Sequence, residues 1–348
     1  DITNGVVEKQ PHLLLENSST NFLTFSEDFS GYLNGNIRIE SNQIVSPDGV
    51  SKSSKLSKST FFENIQSQAT ISNSTNYSLS VFVKKGTLNR ITLRLASGSS
   101  DVRKCLDLSD LSVSDAAGNQ TGFVSSKVEQ LVNDWYRFTI TATSNGTTQF
   151  INIYAGKGNV VESGNIYIWG TQLEEKSFST SYIPTNGSTQ TRAAETCNGA
   201  GTSSIFNDSE GILMLEASSD DTNSVIWSIS DGSNNNAVSL YYGSQGILCD
   251  IFSSVGVRTI IATFPITSRV NMNKFAVKYK SNDIAIWING VKSAVNTQTI
   301  ALSGLNTLGA SYGSGSFPFY GKVKQIRVYN TKEMTDSEVD ILLTKITS

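Results

Sequence analysis

Histidine is nearly missing from this sequence: His12 stands alone among 348 residues. One imidazole cannot supply a multi-histidine metal site, and it leaves little room for histidine-base chemistry. His12 lies near the start and reads as a surface residue. Charge is also sparse, at 16% of residues with a formal net charge of −3. No basic field is present to hold a phosphate backbone, so nucleic acid is not an expected partner. The three cysteines, at 105, 197 and 249, share no short spacing, and an odd count cannot close a full set of disulfides. Free, mostly buried thiols are expected. No run of eighteen apolar residues occurs, and residues 1–10 lack the basic and apolar regions of a signal peptide. A soluble chain with no membrane insertion is the expectation. The missing initial methionine suggests a processed protein or part of a longer one.

What is present is strand text. Short stretches of alternating apolar and polar residues recur at roughly ten-residue spacing, divided by Gly, Asn and Ser, and helical periodicity is absent from the first half. Residues 77–84 put Tyr77, Leu79, Val81 and Val83 on one face. In 165–173, Ile166 and Ile168 oppose Tyr167 and Trp169. Length is ample for two domains. The expected division is a lead-in arm over 1–20, a β-domain over 21–185, a polar, glycine-rich linker over 186–204 and a second β-domain over 205–348. One short helix is expected from Thr335 to Leu343, with Thr335 capping and Glu338 three residues on. Asn289-Gly290 reads as a tight hairpin turn. The fold class is therefore all-β, two tandem antiparallel sandwiches of jelly-roll type with one C-terminal helix.

Segments 21–30, 46–49, 77–86, 134–137 and 166–175 occur in an order that resembles the carbohydrate-binding-module-like jelly roll common in tailed-phage virion proteins. The resemblance covers about residues 13–195. Segments 274–279, 283–290 and 319–329 with the closing helix resemble the concanavalin-A-like, laminin-G-like sandwich over about 205–348. The first resemblance implies a virion surface protein, a tail fibre, spike or capsid fibre, commonly a trimer bound to other virion proteins. Related jelly rolls often hold a structural calcium ion, and Asp28 is placed for one, although Trp169-Gly170 stands where many such modules carry acids.

Catalytic constellations are not found. Glycan hydrolysis needs two carboxylates about 5–10 Å apart. Glu210 and Glu216 could share a strand face but lie roughly 20 Å from each other along it. The adjacent Glu174 and Glu175 point opposite ways and read as a solvated rim. A single histidine and no Gly-x-Ser-x-Gly elbow leave no serine triad. The loop acids Asp220 and Asp221, with Asn223, form an oxygen-rich turn that could hold a cation. Aromatics are the remaining signal, because sugar rings offer C–H faces that stack on them. Trp135, Tyr77 and Trp227 read as core. Trp287 lies opposite Ile284, Ile286 and Ile288, either exposed or under the last helix. Tyr241, Tyr242 and Tyr312 sit near strand ends and could form a platform, and Tyr32 occupies a place where the resembling modules often carry Trp. The expected function is non-catalytic binding of host surface polysaccharide from a virion. The alternative is a secreted or cell-surface bacterial adhesin, or the binding part of a glycan-degrading enzyme.

Overall fold

The computed structural model describes all residues except 1, 4, 5, 8–11, 61, 220, 222–224, 244, 245, 254–257 and 265–267; for 2, 3, 6, 7, 225 and 258–264 it describes the backbone. The chain forms two compact units, 1–9 with 18–193 and 10–17 with 194–348. Both are all-β with antiparallel sheets, and among the described residues the one α-helix is Asp336–Thr347.

The first unit is a sandwich of two six-stranded sheets. Its front sheet runs Val113–Asp115, Ser100–Asp107, Arg90–Ser97, Thr148–Ala155, Asn64–Thr70, Leu33–Gly35. Its back sheet runs Phe123–Gln130, Trp135–Thr143, Asn76–Lys85, Gly164–Glu174, Ser54–Lys58, Arg38–Glu40. Alternation builds the core. Tyr77, Leu79, Val81 and Val83 of the back sheet meet Ile91, Leu93, Leu95, Ile151 and Ile153 of the front, each aliphatic chain contributing about 1.5–3 kcal/mol on full burial.

The outer face of the back sheet is also covered. After Glu174 the chain returns across it, and hydroxyls stitch the return down: Ser78 Oγ donates to the Phe178 carbonyl at 3.0 Å, and Thr141 Oγ1 to that of Ser177 at 3.2 Å. Phe82, Trp135 and Trp169 form a small second core there. A shift in register between Trp169 and Gln172 turns the strand, with Gly170 at φ 61° against the Phe82 ring.

The second unit pairs a six-stranded sheet with a five-stranded one. The six-stranded sheet runs Val291–Lys292, Ala285–Ile288, Asn273–Lys280, Glu210–Ser218, Gly321–Tyr329, Leu13–Leu15. The lead-in residues Leu13–Leu15 are thus an edge strand of this sheet. The five-stranded sheet runs Arg258–Phe264, Gly246–Phe252, Ala237–Gly243, Val225–Ser230, Thr307–Gly309. Between them lie Leu213, Leu215, Trp227, Leu240, Ile251, Phe275 and Ile286. Asn289 and Gly290 both take positive φ, 46° and 83°, in the hairpin the sequence marks.

The helix carries the full capping box, Thr335 accepting from Glu338 N while the Glu338 carboxylate accepts from Thr335 N. It runs to Thr347, four residues beyond the expected end, because Ile346 continues the apolar stripe of Val339 and Leu343. Residues 186–204, expected as a linker, divide between the units. Gln190–Arg192 pairs with Ser19–Asn21 in the first. In the second, the Cys197 carbonyl accepts from Ala310 N and Ala200 exchanges backbone bonds with Leu308. A Ser, Thr and Gly composition does not prevent backbone pairing where a strand edge is open.

Candidate functional site

Four of the five aromatic residues expected to meet ligand, Tyr32, Tyr241, Tyr242 and Trp287, are buried. Tyr32 is 7% exposed; its hydroxyl donates to the Phe25 carbonyl at 2.7 Å and lies 2.9 Å from that of Thr171. Burial drives its phenol well above the ordinary tyrosine value. It closes one end of the first core against Phe29. Trp287 is 1% exposed because the C-terminal helix packs Val339 and Leu343 against its face of the sheet. Tyr242, also 1% exposed, points inward and stacks edge-on with Phe275. Alternation puts it on the core side of its strand, opposite Tyr241.

Tyr241 and Tyr312 are brought together on the outer face of the five-stranded sheet. Both hydroxyls donate to Asp250 Oδ2, at 3.2 Å and 3.0 Å. Asp250 is fully buried. Tyr241 is itself buried and props the cluster, whereas Tyr312 is half-buried and carries rings on either side, Phe252 at 6.0 Å and Phe317 at 5.8 Å.

A second arrangement, on the front sheet of the first unit, is one that sequence reasoning missed. Alternation sends Arg94, Asp101, Arg103, Asn152 and Gln66 outward from four adjacent strands. Both guanidinium groups grip Asp101. Arg94 Nε donates at 2.8 Å to Oδ1, and Arg103 donates through Nε at 3.0 Å and Nη2 at 2.8 Å. Arg94 Nη1 also donates at 3.0 Å to Asn152 Oδ1, and Asn152 Nδ2 passes the row on to Asn64 at 2.8 Å and Gln66 at 3.0 Å. Further N–H donors on both guanidinium forks remain unspent, since each fork carries five. Phe150 is exposed two residues from Asn152 on the same strand face. The row is a fixed comb of hydrogen-bonding groups beside an aromatic ring. Its one legible trace was the alternation of Arg90, Thr92 and Arg94 opposite Ile91, Leu93 and Leu95.

Burial alone would raise the Asp101 carboxyl, but hydrogen bonds from Arg103 and Arg94 outweigh it and hold the group below its ordinary value. A depressed carboxylate contributes stability above its unfolded pKa and loses it as pH falls through its folded one. The row should therefore survive acidification to about pH 4 and come apart below that. Arginine Nε signals followed by NMR from pH 7 to pH 2 check this; a transition centred above pH 5 would contradict it.

The acids considered for other chemistry have other work. Glu174, expected on a solvated rim, is fully buried and accepts from Ser19 Oγ and from Thr180 N and Oγ1. It faces the returning segment, which the sequence does not show lying over it. Glu175 points the other way and accepts from the Tyr77 hydroxyl. Glu210 accepts from Thr331, and Glu216 from Lys324 and Gln325. Asp28 is exposed and accepts from Ser30 N as the cap of a short 3-10 turn. Asp221 is half-buried, its N–H donating to Ser219 Oγ. Asp220 and Asn223 lie outside the described residues. Among the described residues no three His, Cys, Asp or Glu side chains gather as a metal site needs. Cys105 and Cys249 are buried free thiols, both raised by burial, and Cys197 is a half-buried one.

No family model matches the chain. No curated relative matches it either. Among solved structures it is similar to the CBM40 module of the Ruminococcus gnavus IT-sialidase, bound there to α2,3-sialyllactose. That likeness is 16% identical with a TM-score of 0.35, over 44% of this chain and 97% of the module. It is also similar to domains LG4-5 of the mouse laminin α1 chain, 10% identical with a TM-score of 0.30, over 94% of this chain and 93% of that one. Neither likeness carries a ligand or an activity to this chain.

Proposed function

We propose that this chain is a non-catalytic structural protein of a phage virion, a tail-fibre, spike or capsid-fibre component, whose β-sandwiches bind host surface polysaccharide. The observation that carries the binding half of the reading is the Arg103, Asp101, Arg94, Asn152, Gln66 row with Phe150 at its side. Solvated side chains on a sheet normally move independently. Locking them into one network lowers the ordering cost that a polar ligand must otherwise meet. Unspent guanidinium and amide donors suit the dense oxygen acceptors of a glycan, and an adjacent ring suits its C–H face. The virion half is supported by the ordered segments of residues 13–195 alone.

Arg94→Lys keeps the charge but loses the planar fork that spans Asp101 and Asn152. It is expected to weaken binding to surface polysaccharide about tenfold, or about 1.4 kcal/mol, with melting changed by only a few degrees. Phe150→Ala should act similarly. Affinity electrophoresis of the purified chain reads both; binding equal to the parent's in both variants would remove the site. A secreted or cell-surface bacterial adhesin could use the same row, and detection of the chain in purified phage particles separates the two. Assembly as a trimer would multiply weak contacts, and light scattering measures it.

A further inference from the structure

Phe317 in the second unit is 56% exposed and holds φ 52°, a backbone region that bulky side chains seldom enter. The loop around it is braced on all sides. Tyr312 N donates to the Ser316 carbonyl at 2.9 Å and Gly315 N to that of Tyr312 at 2.7 Å. Ser314 N donates to Asn234 Oδ1 at 3.0 Å, and Ser228 Oγ to the Ser311 carbonyl at 2.6 Å. Gly313 lies so close to the Ser233 carbonyl that a Cβ would sit 2.0 Å from it. Behind Phe317 stands Tyr312, ring to ring at 5.8 Å and nearly perpendicular, its hydroxyl seated on buried Asp250. Strain of this kind persists only where surrounding structure imposes it, and it gathers at ligand-holding positions. Here it keeps a ring in water on a rigid base.

The rim favours an uncharged, hydroxyl-rich ligand. Residues 309–319 contain no charged side chain, Ser314, Ser316 and the neighbouring Asn234 and Asn235 offer hydroxyls and amides, and the carboxylate of the same turn, Asp231, is engaged by Ser233 and Asn236. We propose that this ledge is a second sugar-binding site, taking neutral hexose units whose C–H face stacks on Phe317 while their hydroxyls meet the serine and asparagine rim. It borrows from the proposed function only the idea that the ligand is a glycan; it uses different residues in a different unit.

The test is affinity electrophoresis of the intact chain through gels holding dextran, a mannan or a galactan, with Phe317→Gly and Arg94→Lys beside the parent. The parent should be retarded by at least one of the three. Phe317→Gly should lose about tenfold in apparent affinity there while melting at the same or a higher temperature, because glycine accepts the positive φ freely. Whatever retardation Arg94→Lys itself loses, the tenfold loss on Phe317→Gly should be the same with Arg94→Lys added, because the two sites share no residue. A parent that no neutral polysaccharide retards overturns the proposal, as does Phe317→Gly retarded like the parent. A fall of several degrees in its melting overturns it too, by making the ring a packing element. Should Arg94→Lys alone lose retardation, this ledge fails and the reading of the first unit stands.

Discussion

Trp287→Ala is expected to unfold the second unit at a temperature lower by roughly 10 °C, as seen by calorimetry. The indole is 1% exposed and fills the layer between the six-stranded sheet and the helix, against Val339 and Leu343 and beside Ile212 and Met214. Removing a buried tryptophan costs about 3–5 kcal/mol through lost transfer energy and the cavity left behind. For a unit of this size each kcal/mol moves melting by about 2–4 °C. Lys278 and Lys292 lie over the ring at 5.9 Å and 4.8 Å, and both pair with Asp340 of the helix. Asp340 and Lys292 are partly exposed, and the buried Lys278 keeps a second carboxylate, Asp283, at 2.7 Å, so Asp340→Ala should cost far less than the tryptophan change. Binding at the front sheet of the first unit should be unchanged well below the melting temperature. Equal melting of Trp287→Ala and parent would mean that the helix does not cover this face.

Glu174→Ala is the second large effect, expected to cost about 3 kcal/mol in the first unit. The carboxylate is fully buried and accepts from Ser19 Oγ at 2.7 Å and Thr180 N at 3.0 Å, with Thr180 Oγ1 a further donor. Truncation strands those donors away from water, and each stranded group costs about 1–3 kcal/mol. From the other side, Arg137 Nη1 donates at 2.6 Å to the Thr180 carbonyl. Thr180 is therefore the button that fastens the returning segment to the back sheet. Loss of Glu174 should raise hydrogen exchange at Thr180 and Ile183, whose N–H donates at 2.6 Å to Gln172, before global unfolding. Unchanged exchange at both amides would contradict this.

The sheets were legible because alternation is a local property. Tyr77 to Val83 and Ile284 to Ile288 declare their faces within one strand, and Thr335 with Glu338 and Asn289 with Gly290 declare a helix start and a turn by residue type. What lies over an outer face is not local. Trp287 was assigned to the right side of its strand, yet only the packed helix decides that this side is dry. Glu174 was hidden by a segment that composition cannot place. Tyr32 was read from a resemblance, and its burial follows from the hydroxyl partners Phe25 and Thr171, the latter 139 residues away. Tyr241 meets Asp250 across a local hairpin, but Tyr312 reaches it from a loop 62 residues further on, which no single stretch shows. The Arg94 row was invisible for the same reason: its members come from four strands, and no single stretch contains the pattern.

On the proposed reading, the front-sheet row of the first unit receives a glycan. The most direct measurement is NMR titration of the isotope-labelled chain with purified bacterial surface polysaccharide, following the side-chain signals of Arg94, Arg103, Asn152 and Gln66. Saturable shifts of these signals, abolished in Arg94→Lys, are predicted. Polysaccharide that binds while all four stay unmoved would contradict the account.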